Sequence, residues 1–508
     1  MSAIPFLKCR ILAYSFLSLT TVLLTRLPLK AQSNASGLNP SWQRIDCPFV
    51  VPQGEAVDCG WLTVPENRQV PSSAEIQVFF ARVYSYSSRP APDPVVILGG
   101  GPGQGMSDGM SAVWQGMLSL RRDRDLIIID PRGTGQSHPP LTCEEFKQDY
   151  PPEVEGGNAA EYQWLVQQTV ACRDRLLQQN IDLQGYTTTQ TALDLRDLRQ
   201  ALNIPQWNLI GTSYGTKLAL ETLRQDPTGI RTIVFNSMMT LGDAWSVDTL
   251  SYTLQAFEQL LRDCERQPTC QTAYPNLRQA FRELQKRLNE TPLTLSWYDT
   301  TTGQLHQESF TFQDIVDTFI FHLSFIDTLE NLPYYIHRLH QLINGKRNLR
   351  DDEIMSIFSF PDFGINDGVY FSVMCHEVYP LSAFDQTQAF SRQHSQWFRP
   401  EGFYIREKRQ CQAWNVPPVS PQFTDPITSD IPVLFLSGNY DVLTPPLWTE
   451  EIRQNFPNAS VIQIPFMGHD VLNSSLCVQS FVADYIKDPR HRLETHCIVQ
   501  HAPRFVTE

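Results

Sequence analysis

The segments Val95–Leu98 (VVIL) and Leu126–Ile129 (LIII) are apolar at every position, and each stops abruptly, the first at three glycines and the second at Asp130. A strand with one wet face alternates apolar and polar residues. A strand that is apolar throughout needs cover on both faces, as in a parallel sheet flanked by helices. Ile76–Tyr84, Asn208–Ile210, Ile230–Phe235, Pro432–Leu436 and Ser460–Ile464 read as further strands. Tyr162–Gln178, Thr189–Leu202, Lys217–Arg224 and Ser475–Ile486 carry helical spacing between or after them. This alternation predicts an α/β chain built on one mostly parallel sheet with helices on both sides.

From about residue 242 to residue 425 the alternation lapses. Ser251–Cys264 and Leu277–Leu288 are amphipathic helices there, and Phe358–Pro421 reads as loop-rich. The economical division is a sheet domain in two parts, 32–241 and 426–508, interrupted by a helical cap over 242–425. Active sites of open α/β sheets lie at the carboxyl ends of the strands, and the cap is expected to stand over that edge.

The first residues have the layout of a secretory signal. Lys8 and Arg10 precede an apolar run from Ile11 to Thr25, and a small residue, Ala31, offers a cleavage point, so 1–31 is expected to be removed. The run is shorter than the roughly 20 residues that cross a bilayer, which disfavours a retained anchor. Of 11 cysteines, Cys9 falls in the leader. The other ten form sequence-near couples: Cys47 with Cys59, Cys143 with Cys172, Cys264 with Cys270, Cys375 with Cys411, and Cys477 with Cys497. In an oxidising compartment each couple can close a local loop, although spacing alone leaves the connectivity open. The expected location is therefore periplasmic or extracellular, with no stable membrane association once the leader is gone. A net charge of −14 argues against a nucleic-acid partner, because phosphate binding needs a basic surface. No Cys-x-x-Cys, His-x-x-x-His or His-Glu-x-x-His pattern occurs, and neither a metal nor a cofactor is expected.

Gly211-Thr212-Ser213-Tyr214-Gly215 stands between a strand, Trp207–Ile210, and a helix, Lys217–Arg224. Gly-x-Ser-x-Gly in that context is a sharp turn that lifts a serine hydroxyl above the sheet as a nucleophile. The partners of such a serine follow it in the order acid, then histidine. Asp441 lies just past the strand 432–436 and His469 just past 460–464, on the same sheet edge as Ser213. The imidazole would take the serine proton while the carboxylate holds its other nitrogen. Asp470 beside His469 is expected to point away, and Asp430 lies before its strand, at the wrong edge. The glycine-rich loop Gly99–Gly105 lets backbone N–H groups approach a developing oxyanion, with Gly101 and Tyr214 as donors. It lacks the Gly-Lys-Ser/Thr ending of a phosphate loop.

With Asp58–Pro65, Gly100–Gly103, Asp130–Ser137, Cys411–Trp414, Asp441–Pro445 and Gly468-His469, these motifs resemble the proline iminopeptidase and tripeptidyl aminopeptidase family of α/β-hydrolases over most of the chain. Asp130-Pro131-Arg132-Gly133 and the tyrosine after Ser213 resemble the tripeptidyl aminopeptidase-like branch. The resemblance implies an α/β-hydrolase fold, a Ser213–His469–Asp441 triad, and a serine aminopeptidase acting on peptides with a free N-terminus. It also points to Glu377, in Ser372-Val-Met-Cys-His-Glu377, as the acid that meets the substrate amine. The alternatives are a carboxylic-ester hydrolase on the same triad and an inactive hydrolase scaffold used for binding.

Overall fold

The computed structural model describes residues 41–147, 159–241, 245–298, 303, 305–358, 363–399, 402–490, 498 and 504–507. The stretch 1–31, expected to be a leader, lies outside them. Among the described residues eleven strands form: β1 (Trp42–Ile45), β2 (Val57–Pro65), β3 (Glu75–Val83), β4 (Val95–Leu98), β5 (Leu126–Ile129), β6 (Trp207–Thr212), β7 (Ile230–Asn236), β8 (Leu293–Tyr298), β9 (Leu305–Phe310), β10 (Val433–Gly438) and β11 (Ala459–Ile464). Nine of them make one sheet in the order β1-β2-β3-β5-β4-β6-β7-β10-β11, and β8 pairs with β9 in a separate hairpin. β1, β2 and β3 are antiparallel to their neighbours, and from β5 to β11 every pairing is parallel.

The burial explains the runs in the sequence. Every residue of β4, β5 and β10 is buried. Successive side chains feed opposite layers. Val78 and Phe80 of β3 join Ile127 and Ile129 of β5 in one apolar layer, while Phe79 and Ala81 join Leu126 and Ile128 in the other. The end strand β11 alternates, with Val461 37% exposed, as suits an edge with one wet face.

The chain between β7 and β10 divides in two. Helices Trp245–Arg266, Leu277–Glu290, Phe312–Ser324 and Leu332–Ile343, with the β8–β9 hairpin, enclose an apolar core of their own that holds Phe257, Phe281, Phe319 and Ile336. The second part corrects the expectation of a loop-rich stretch. Asp367–Glu377, Phe384–Gln393 and Phe403–Trp414 are helices there. Val369, Phe371, Met374 and Trp414 are buried in the core of one sheet face, together with Leu176 and Leu195. This part is welded to the sheet rather than resting above it. Disulfides join Cys47–Cys59, Cys143–Cys172, Cys264–Cys270 and Cys375–Cys411. The couple Cys477 with Cys497 reaches outside the described residues.

Candidate active site

β6 ends at Thr212, and Ser213 enters the helix Tyr214–Gln225 with φ 57° and ψ −123°. This is backbone that a residue with a side chain adopts only when its surroundings hold it there. Its N–H donates to the Asn236 carbonyl (3.0 Å), and its own carbonyl accepts from the N–H (2.9 Å) and hydroxyl (2.6 Å) of Thr216. Gly215 is obligatory, since a Cβ there would lie 2.2 Å from the Leu98 carbonyl oxygen at the end of β4.

The candidate acid and base come from the ends of the parallel strands β10 and β11. Asp441, fully buried after β10, accepts the N–H groups of Leu443 (3.1 Å) and Thr444 (2.8 Å) on Oδ1 and the Thr444 hydroxyl (2.7 Å) on Oδ2. Both carboxylate oxygens lie 3.0 Å from His469 Nδ1. That contact places the imidazole proton on Nδ1 and leaves Nε2 as the acceptor. Burial opposes a charge on His469, but the Asp441 carboxylate outweighs it through charge and hydrogen bond, with Asp470 adding, and the pKa stands above its ordinary 6.5.

Asn236, at the end of β7, links the candidate nucleophile to the loop that carries His469, and sequence reasoning did not single it out. Its carbonyl holds Ser213. Its side chain donates to Asp470 Oδ1 (2.7 Å) and Thr212 Oγ1 (3.0 Å), and accepts the Leu472 N–H (3.2 Å). Asp470 therefore turns from His469 toward Asn236. A polar residue closing the apolar run Ile233–Phe235 was the available signal. Asp430 is exposed, before its strand.

The glycine-rich loop lies against Ser213: a Cβ on Gly100 would sit 3.5 Å from Ser213 Cβ and 3.9 Å from Oγ. The Gly100 N–H is engaged by Gln104 Oε1 (3.0 Å); of the two expected oxyanion donors, Gly101 follows it with φ 106° and Tyr214 opens the helix after Ser213. Gly103 and Gln104 are pinned from the insertion by the Asn366 N–H on the Gly103 carbonyl (2.8 Å) and a bridge between Gln104 and Ile365. The Asp130–Gly133 motif supports this loop from below. Buried Asp130 accepts Ser107 N–H (2.8 Å), Ser107 hydroxyl (2.5 Å) and Gln136 N–H (2.7 Å), while Arg132 pairs with buried Asp194 (2.7 Å).

Glu377 is placed differently from the expectation. It is 2% exposed. Oε1 accepts the Thr188 N–H (2.7 Å), Oε2 accepts the Thr188 hydroxyl (2.5 Å), and the Lys217 ammonium stands 3.4 Å away. With both oxygens engaged in the interior, this carboxylate is not presented to a substrate amine. The cause is the local fold: Glu377 ends a helix buried on nearly every side, so its last turn faces the sheet's helices.

Comparison with known proteins agrees with this architecture. A family model described as alpha/beta hydrolase fold matches residues 93–334, and one described as TAP-like protein matches residues 401–497. A protein of Escherichia coli (strain K12) named as a hydrolase, YuaR, is 27% identical over 46% of this chain and 48% of its own length. The tripeptidyl aminopeptidase of Streptomyces lividans is 28% identical over 41% of this chain and 40% of its own. The proline iminopeptidase of Heyndrickxia coagulans is 24% identical over 30% and 38%. The chain thus matches under half the length of each of these curated relatives. Among solved structures, a thermophilic esterase from Thermogutta terrifontis aligns with a TM-score of 0.37 and 15% identity, covering 84% of this chain and 99% of that one. The chain is an α/β-hydrolase-fold protein with a TAP-like C-terminal region, related in sequence to the tripeptidyl aminopeptidases and proline iminopeptidases.

Proposed function

We propose that the protein is an exported serine aminopeptidase that cleaves peptide bonds near a free N-terminus through an acyl-enzyme. The observation that carries the reading is the strained Ser213 elbow on the same sheet edge as the hydrogen-bonded pair of buried Asp441 and half-buried His469. His469 Nε2 takes the Ser213 proton as Oγ attacks the scissile carbonyl. The N–H groups of Gly101 and Tyr214 receive the oxyanion, and the same proton passes to the leaving amine. Water then repeats the sequence on the acyl-enzyme. The names of the relatives support a peptide substrate, and the disulfides fit export to an oxidising compartment.

One observation favours a second reading, carboxylic-ester hydrolysis. With Glu377 in the interior, the acid expected to measure distance from an amine is missing from the cleft, and a neutral ester needs none. A panel of chromogenic mono-, di- and tripeptide amides, each with a free and an acetylated N-terminus, beside 4-nitrophenyl esters, separates the two. An aminopeptidase prefers the free-amine peptides by at least about tenfold in kcat/KM, roughly what one recognised charge is worth. Equal rates on free and blocked peptides, both far below the esters, would overturn the peptidase reading.

A further inference from the structure

Glu377 belongs to a buried chain of polar groups that ends behind the nucleophile. Thr188 has one hydroxyl proton, and it is spent on Glu377 Oε2 at 2.5 Å. The Tyr214 hydroxyl, 2.8 Å from Thr188 Oγ1, is therefore the donor in that contact. Lys217, three residues beyond Tyr214 on the same helical face, completes the shell of Glu377 at 3.4 Å, and its ammonium lies 5.0 Å from the centre of the Phe423 ring. All four residues, Thr188, Tyr214, Lys217 and Glu377, are at most 4% exposed. The carboxylate comes from the insertion, two residues after Cys375, whose bridge to Cys411 ties it to the neighbouring helix. Glu221, the other acid acting on Lys217, is committed to Thr189 (2.9 Å) and Gln225 (2.8 Å).

Such a pair is a poor source of stability, because burying two charges costs about what their attraction returns. Its placement suggests another use. Ser213 holds an unfavourable backbone geometry, which persists only when both sides of the turn are fixed. The strand side is fixed by the Asn236 carbonyl. On the helix side, Tyr214 and Lys217 are the first-turn residues gripped from behind. We propose that Glu377 is a positioning residue: through Thr188, Tyr214 and Lys217 it clamps the first turn of the nucleophile helix and so aims the Tyr214 N–H at the oxyanion. This rests on Ser213 being the nucleophile.

The test uses Glu377→Gln, Tyr214→Phe and the neutral pair Glu377→Gln/Lys217→Met in the full chain. Active sites are counted by titration with diethyl 4-nitrophenyl phosphate, and turnover of 4-nitrophenyl butyrate is expressed per titrated site. Loss of folded molecules lowers the titre and leaves turnover per site unchanged. Misaim lowers turnover per site and leaves KM alone. Removing an oxyanion donor outright costs roughly 10²–10³-fold in kcat, and a misaimed one less. Glu377→Gln is expected to lose about 10- to 100-fold in kcat per site, with KM within about twofold. Tyr214→Phe, which keeps the backbone donor and the ion pair, is expected to lose about three- to tenfold, and it serves where Glu377→Gln does not fold. The neutral pair is expected to fold better than Glu377→Gln yet stay slow. Inhibition by a butyl boronic acid, whose adduct carries the tetrahedral oxygen, should weaken in proportion to kcat. Unchanged kcat per site in both Glu377→Gln and Tyr214→Phe overturns the inference. Retention of titration and turnover by Ser213→Ala would instead overturn the nucleophile on which it rests.

Discussion

The sheet and the insertion each bury an apolar core, yet they contribute to the site in opposite ways. Every candidate reacting group stands at the end of a parallel strand: Ser213 after β6, Asp441 after β10 and His469 after β11. The insertion supplies contacts to the loops that carry them. Its helix Trp245–Arg266 meets the Asp441 loop twice and the helix after it once: the Tyr252 hydroxyl donates to the Asn439 carbonyl (3.0 Å), Asp263 accepts from the Tyr440 hydroxyl (2.7 Å), and Asp248 accepts from Trp448 (2.8 Å). The end of helix Phe312–Ser324 holds the base loop, where the Ser324 carbonyl accepts the His469 N–H and the Phe325 ring meets the imidazole edge-on at 6.2 Å. Asn366 pins the glycine-rich loop through the Gly103 carbonyl. The difference teaches that chemistry and aim can be encoded in separate stretches of one chain, and that this insertion is a brace for the site.

Mutations in the two regions should break in different ways. The largest effects belong to the sheet. Ser213→Ala and His469→Ala are each expected to lower kcat by at least about 10⁴-fold with the fold intact, and the double variant should fall little further, because the groups act as a unit. Steady-state kinetics of the three variants decides this, and a double variant far slower than either single would deny the shared role. An intermediate effect belongs to the seam between the regions. A methyl group added at Gly468 would lie 2.3 Å from the Ser324 carbonyl oxygen, so the base loop or the helix end must shift. Gly468→Ala is expected to cost about 10- to 100-fold in kcat, the scale of a small misplacement of a catalytic group. Circular dichroism should stay near that of the parent, and full activity would show that the seam does not aim the base.

The smallest effect on catalysis belongs to the interior of the insertion. Arg338 and Glu353 form a buried pair there at 2.7 Å. The guanidinium hydrogen bond is the chief cause that holds the Glu353 carboxyl down at about 2, against burial. A carboxyl depressed from 4.5 stabilises the fold fully above that value, and the contribution drains away as the pH falls toward 2. Glu353→Gln strands the Arg338 charge and is expected to destabilise by about 3 kcal/mol at neutral pH, with the deficit shrinking below pH 4.5. Urea denaturation at several pH values measures this, and kcat per titrated site should not move. A fall in kcat matching that of Glu377→Gln would erase the distinction between the two buried pairs.

Legibility in the sequence follows the same divide. Strands buried on both faces advertise themselves, and β4 and β5 fall on the residues expected from their apolar runs. β8 was legible too, since Leu293, Leu295 and Trp297 alternate with polar residues, but its position amid amphipathic helices hid it. The helices between Asp367 and Trp414 were missed because the weld to the sheet buries most of Asp367–Glu377, so no apolar stripe stands out from a polar face. Glu377 shows the limit most plainly. A glutamate after an apolar stretch suits an amine reader and a buried anchor equally, and its partner Thr188 is 189 residues away in sequence. Only the assembled fold makes that choice.

The central claim is that Ser213 is a nucleophile activated by His469 and Asp441. It is tested most directly by treating the protein with a fluorophosphonate, mapping the adduct by peptide mass, and following the labelling rate against pH. The account predicts one adduct, on Ser213, formed at a rate that rises with pH through a midpoint above 6.5 as His469 loses its proton, and nearly abolished in His469→Ala. An adduct on another residue, or labelling of Ser213 that is indifferent to His469, would contradict it.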